Sequence, residues 1–115
     1  MATNTQLGEA LRISRDLIAD PEHWTQGSPA RKADGSMTEP LDTDAYQYCV
    51  VGAMVAAANK ISDWRYDHGQ SCALVDEMKC AFRHTVRGRV GPYNDSHTHA
   101  EVLAALEQTI AFLAS

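Results

Sequence analysis

The chain has no apolar run long enough to cross a bilayer. A membrane helix needs about 20 consecutive apolar residues; the longest stretch here, Cys49 to Ala58, falls well short and contains Gly52. Cysteine is scarce and odd in number. Cys49, Cys72 and Cys80 form neither a paired framework nor a Cys-x-x-Cys metal or redox motif, a usage that fits a reducing cytoplasm. The first residues lack the basic and apolar regions of a secretory signal. Positive charge is also in deficit: ten Lys and Arg against fifteen Asp and Glu leave a net charge of -5. Proteins that meet nucleic acid generally carry net positive charge there, so a nucleic-acid partner is not expected. There is no glycine-rich phosphate loop, no internal repeat and no interleaving of aromatics with bases.

What is present suits one globular domain spanning residues 1–115, with 44% hydrophobic and 22% charged residues. Leu7, Ala10, Leu11, Ser14, Leu17 and Ile18 recur at helical spacing, which predicts a first helix over Gln6–Ala19, capped by Thr5 and stopped by Asp20-Pro21. Residues 21–43 carry Pro21, Gly27, Pro29, Gly35 and Pro40 and no helical period. They read as a long packed loop, with Asp34-Gly35 as the turn of a very short hairpin between Ala30–Ala33 and Ser36–Thr38.

A second helix is expected over Ala45–Asn59, with Asp44 and Gln47 as a capping box. It is apolar around its whole circumference, the mark of a buried central helix. Cys49, Gly52, Ala53 and Ala56 would form a small-residue face for close approach of another helix. Residues 61–70 are ambiguous. Ser71–Arg87 reads as a third helix with Ser71 as N-cap and Gly88 at the exit. Arg89–His97, with Gly91-Pro92, reads as a loop, and His99–Leu113 as a last helix behind a Thr98/Glu101 capping box. The expected fold is therefore all-α: four helices around a buried central one.

Three groups of residues carry candidate chemistry. Asn94, Asp95, His97, Thr98 and His99 concentrate polarity before a helix N-terminus, where anions are favoured; the same residues also make an ordinary turn and cap. His97 and His99 diverge on a helix start and lack further ligands, so no metal and no other cofactor is expected. His23, His68 and His84 read as surface histidines. Cys49 or Cys72 with His99 and Asp95 would be the minimum for a thiol hydrolase or transferase, against which stands the tendency of free cysteines to be small core residues. Lys79, Arg83 and Arg87 recur every four residues on one helix face, beside His84 and Arg89. They suit an anionic partner, or else a solvated face or pairing with Glu39, Asp42 and Asp44. In the long loop, Trp24 reads as an anchor. Arg31 suits a carboxylate or phosphate, with Asp95 as an alternative structural partner.

Trp24-Thr25-Gln26-Gly27, Ala30-Arg31, Asp34-Gly35, Cys49-x-x-Gly52-Ala53, Asn94-Asp95 and Thr98-His99-Ala100-Glu101-Val102 occur in an order and spacing that resembles a family of small uncharacterised proteins of actinobacteria and bacteriophages. The resemblance runs from Leu7 to Ile110; Tyr93 and Tyr48 stand where tryptophan is common. It implies a compact helical domain, a phage or mobile-element setting, and one recurrent constellation of Trp24, Arg31, Cys49, Gly52, Asn94 and Asp95. It implies no reaction. The expectation is a cytoplasmic, non-enzymatic binding protein for a small anionic ligand or a protein, a phage accessory or host-interaction factor, with a homodimer as a further possibility. Trp24, Arg31, Asn94, Asp95 and His99 are the expected ligand-binding residues.

Overall fold

The computed structural model describes residues 3–62 and 68–115, with the backbone alone described for 68–72. The first helix, α1 (Asn4–Leu17), starts two residues before the expected Gln6. Thr3, not Thr5, caps it: the Thr3 hydroxyl accepts from the Gln6 N–H, and the Gln6 side chain accepts from the Thr3 N–H. The expected stripe is the buried one, with Leu7, Ala10, Leu11, Ser14 and Ile18 all inside. Ser14 is tolerated there because its hydroxyl donates to the Ala10 carbonyl at 2.9 Å, leaving no unpaired polar atom in the core. A 3-10 turn at Pro21–His23 follows, capped by the Asp20 carboxylate.

The fold is mostly helical, but a small sheet corrects the all-α expectation. Strands β1 (Ala30–Lys32), β2 (Met37–Thr38) and β3 (Ala45–Tyr48) pair antiparallel in the order β2-β1-β3. The β1–β2 hairpin turns where Asp34-Gly35 predicts it. Gly35 takes φ +88°, and the Asp34 carboxylate accepts from both the N–H and the hydroxyl of Ser36.

The third strand occupies residues expected to open the second helix. Its alternating Tyr46 and Tyr48 suit a half-buried strand, and it supplies backbone partners to the free edge of β1. The expected Asp44/Gln47 capping box does not form. The helix, α2 (Val50–Ile61), begins only after Cys49, whose sulfur accepts from the Gly52 N–H at 3.3 Å.

As expected, α2 is the central element, with Val50, Ala53, Met54, Ala57 and Ala58 buried and contacts to both α1 and α3 (His68–Val86). At Gly52 its small face meets a different neighbour from the one expected. A Cβ placed on Gly52 would lie 1.8 Å from the Pro29 carbonyl oxygen, and that oxygen accepts from the Cys49 N–H at 3.2 Å. At Gly52 the close approach is thus loop backbone on helix, whereas Ala53 of the same face meets α1, its carbonyl accepting from the Ser14 hydroxyl at 3.5 Å.

Helix α3 is already helical at residue 68, so Ser71 lies inside it rather than at its cap. It ends at Val86, and Arg87 takes the left-handed φ of +57° that a glycine was expected to supply at Gly88. The expected loop after it is largely a short helix, α4 (Val90–Ser96). Pro92 fits because the first helical turn needs no N–H there. Helix α5 (His99–Ala114) starts as expected, with Thr98 and Glu101 in a reciprocal capping box. Phe82, Leu11, Ile18, Met54, Met78 and Leu106 fill the centre of the core, and a 2.7 Å hydroxyl contact between Thr85 and Thr109 ties α3 to α5. Among the described residues no helix is long and apolar enough to cross a membrane.

Candidate functional site

The expected polar constellation comes together in space, and its bonding groups meet each other. Asn94 is fully buried in the last turn of α4. Its carbonyl oxygen accepts from the Trp24 indole N–H at 2.8 Å and from the Val50 N–H at 3.0 Å. Its amide nitrogen donates to the Thr25 carbonyl at 3.1 Å and to the Asp95 carboxylate at 3.2 Å. A side-chain amide offers two donors and two acceptor sites, so Asn94 has its full set of partners within the protein. It joins the loop, the start of α2 and the end of α4 at one point.

Around it the segment Trp24–Gly27 is held on every side. The Gln26 amide donates to the carbonyls of Asn94 and His97, both at 3.0 Å. The Asp95 carboxylate accepts from the Gly27 N–H at 2.9 Å, at a residue whose φ is +80°. Arg31 donates to the Thr25 hydroxyl, the Gly35 carbonyl and the Gln26 carbonyl. Arg31 and Asp95 therefore brace the same turn from two sides; the ion pair expected as an alternative does not form, since the described ion pairs both belong to Arg15. His99 places its ring 5.5 Å from that of Trp24 and its Nε2 2.6 Å from the Ile18 carbonyl. Gln26 and Thr25 carry as much of this clamp as Arg31 does. Their place in the Trp24–Gly27 motif was the available signal for them.

The expected thiol site is differently arranged. No hydrogen bond links Cys49 to His99 or Asp95, each of which is engaged elsewhere. Burial pushes the Cys49 thiol above its ordinary value, and the Asp95 charge pushes the same way against the backbone N–H groups that favour the thiolate. A nucleophilic cysteine needs the opposite shift. Cys72 lies outside the described side chains. Cys49 is buried and Cys80 exposed, and both are free. Iodoacetamide at neutral pH is therefore expected to modify Cys80 in the folded protein and to reach Cys49 only on unfolding, as read by peptide mass mapping. Among the described residues no group of three or more His, Cys, Asp or Glu could hold a metal ion.

The basic stripe ends in a concavity. Cys80, Arg83, His84, Arg87, Gly88 and Arg89 line a hollow of about 510 Å³ at the C-terminal end of α3. Lys79 continues the stripe one turn earlier. None of these cations has an ion-pair partner among the described residues, and the sequence holds no Asp or Glu between Glu77 and Asp95. The expected alternative, pairing with the acidic loop, does not occur: the Asp42 carboxylate instead accepts from the Thr38 hydroxyl and the Asp44 N–H. The Thr38 hydroxyl does most to hold that carboxyl below its ordinary range, with the Asp44 N–H next. Beside the hollow, the exposed Phe112 ring lies 6.0 Å from that of His84.

No curated protein and no solved structure matches this chain. A family model matches residues 2–112, nearly the whole length. The expected kinship with uncharacterised proteins holds: the chain belongs to DUF6197, a family of unknown function.

Proposed function

We propose that the protein is a small cytoplasmic, non-enzymatic binding protein that holds an anionic group in the basic hollow at the end of α3. The observation that carries this reading is the convergence of Arg83, His84, Arg87 and Arg89 on one concavity with no acidic partner among the described residues, in a chain of net charge -5. Cations near a helix C-terminus are favoured by the helix dipole, which accounts for Arg83 and His84 in the last turn. It does not account for Arg89, which lies beyond the helix, nor for Arg87 in a left-handed conformation. Isolated positive charge concentrated in a concavity focuses potential there and draws anions in. The Trp24–Asn94–Asp95 constellation serves this reading as the clamp that holds the long loop to α2 and α4. In the phage or actinobacterial setting that the resemblance implies, such a protein is an accessory factor that binds a small anionic ligand or an acidic protein surface.

The test is titration with inorganic tripolyphosphate and with poly-L-glutamate, read by calorimetry and by protection of Cys80 from alkylation. Binding of at least one probe is expected, with steep weakening as salt rises. The double substitution R83E/R87E is expected to abolish it while lowering stability by no more than about 1 kcal/mol, as for exposed charges at a helix end. No binding of either probe, or binding indifferent to R83E/R87E, would overturn the proposal.

A further inference from the structure

We infer that the anion held in this hollow is a nucleoside polyphosphate, its phosphate chain on Arg83, Arg87 and Arg89 and its base against Phe112. This rests on the anion-binding reading above and gives it a chemical class.

The cations that face the hollow are arginines and a histidine rather than lysines. A guanidinium presents a planar fork that matches phosphate oxygens two at a time, and three such forks surround one cavity. Its volume of about 510 Å³ lies within the range usual for small-molecule sites, roughly 300–1,000 Å³. Arg87 holds its charge there from a left-handed backbone, φ +57°, although Gly88 stands next in the chain. Strained conformations of this kind cluster where a side chain is needed in a particular place.

Next to His84, one of the lining residues, lies an apolar plane. Phe112 is 65% exposed, far more than a core aromatic would be. Its ring touches His84, which itself lines the hollow. Cationic bowl and aromatic face are thus joined through one shared residue. A bare phosphate would use only the first, and aspartate and glutamate side chains bring charge without a ring for the second. A phosphate chain ending in a nucleobase uses both, since stacking on an aromatic ring is available to every base. A nucleic-acid strand would need a basic track along the surface, which an overall charge of -5 does not favour.

The experiment is calorimetric titration of the whole protein with adenosine triphosphate, inorganic tripolyphosphate and adenosine, at equal ionic strength and without divalent metal. Adenosine triphosphate is expected to bind about 5- to 150-fold more tightly than tripolyphosphate, although the inorganic anion carries at least as much charge. Phe112→Ala should remove that preference and leave tripolyphosphate affinity unchanged. R83Q/R87Q should weaken both anions by tenfold or more, and adenosine alone should not bind measurably. Equal affinity for the two anions, or a preference that survives Phe112→Ala, would overturn the inference while leaving the anion-binding reading standing. Binding of poly-L-glutamate but of neither phosphate would do the same. Failure of every anion would remove both.

Discussion

Gly52→Ala is expected to destabilise the protein by about 3 kcal/mol or more, lowering its thermal midpoint by roughly 10 °C. On helix propensity alone the substitution should stabilise, since alanine is better than glycine inside a helix by about 1 kcal/mol. The sign reverses because the added methyl would lie 1.8 Å from the Pro29 carbonyl oxygen. That oxygen is backbone, and it already accepts from the Cys49 N–H. It cannot swing aside as a long side chain would. Either the loop from Ser28 to Ala30 lifts off α2, or α2 moves within a close-packed core. Ser28 and Ala30 are both buried, so the first route also exposes what the loop covers. Thermal unfolding of the single variant, with circular dichroism to show that the helices are retained, measures the effect. A stabilised Gly52→Ala protein would mean that the loop does not lie against the helix as described.

Asn94→Ala is expected to cost about 3–5 kcal/mol. The substitution leaves the Trp24 indole N–H and the Val50 N–H without their shared acceptor, at about 1–3 kcal/mol for each buried donor stranded, and it opens a small cavity besides. Asn94→Asp should also destabilise, because it keeps the acceptor but puts a second carboxylate beside Asp95 and removes the donors to Thr25 and Asp95. Trp24→Phe retains the aromatic ring and loses only the indole donor, so it should cost less than Asn94→Ala. Chemical denaturation of the three variants gives the ranking. Had Asn94 been held for a ligand, Asn94→Ala would leave the unfolding midpoint nearly unchanged, and that result would place the residue outside the clamp.

The helices that the sequence made plain are those whose signals are local. Leu7, Ala10, Leu11 and Ser14 sit on one face of α1, and Thr98 with Glu101 marks the start of α5 without reference to anything distant. Asp34-Gly35 likewise carries its turn within itself. The element that misled was β3. Ala45–Tyr48 runs directly into the apolar stretch of α2, so helix and strand share one uninterrupted pattern, and Asp44 with Gln47 imitates a cap. What makes the segment a strand is its pairing with Ala30–Lys32, about 15 residues upstream and invisible to local spacing.

The same limit applied to the site. Trp24 could be read as a loop anchor, and Arg31, Asn94 and Asp95 as polar residues that packing alone did not explain. Whether their hydrogen-bonding groups face one another or a ligand depends on where α4 brings residue 94, and α4 itself read as a loop because of Gly91-Pro92. The basic stripe, by contrast, was legible from Lys79, Arg83 and Arg87 at four-residue steps. Its meeting with Arg89 in a hollow and with Phe112 beside His84 was not, since those depend on the turn at Arg87 and on the packing of α5 against α3.

On the proposed function, the end of α3 keeps charge at the expense of backbone ease in order to hold an anion. One variant, Arg87→Gly, tests both halves at once. Glycine adopts a φ of +57° without the strain of roughly 1 kcal/mol that a side chain imposes there, part of which is offset by the greater freedom of glycine in the unfolded chain. The thermal midpoint of Arg87→Gly is expected to rise by about 2–5 °C while affinity for tripolyphosphate falls at least fivefold. An affinity unchanged by the substitution would contradict the proposed function, whatever the midpoint does.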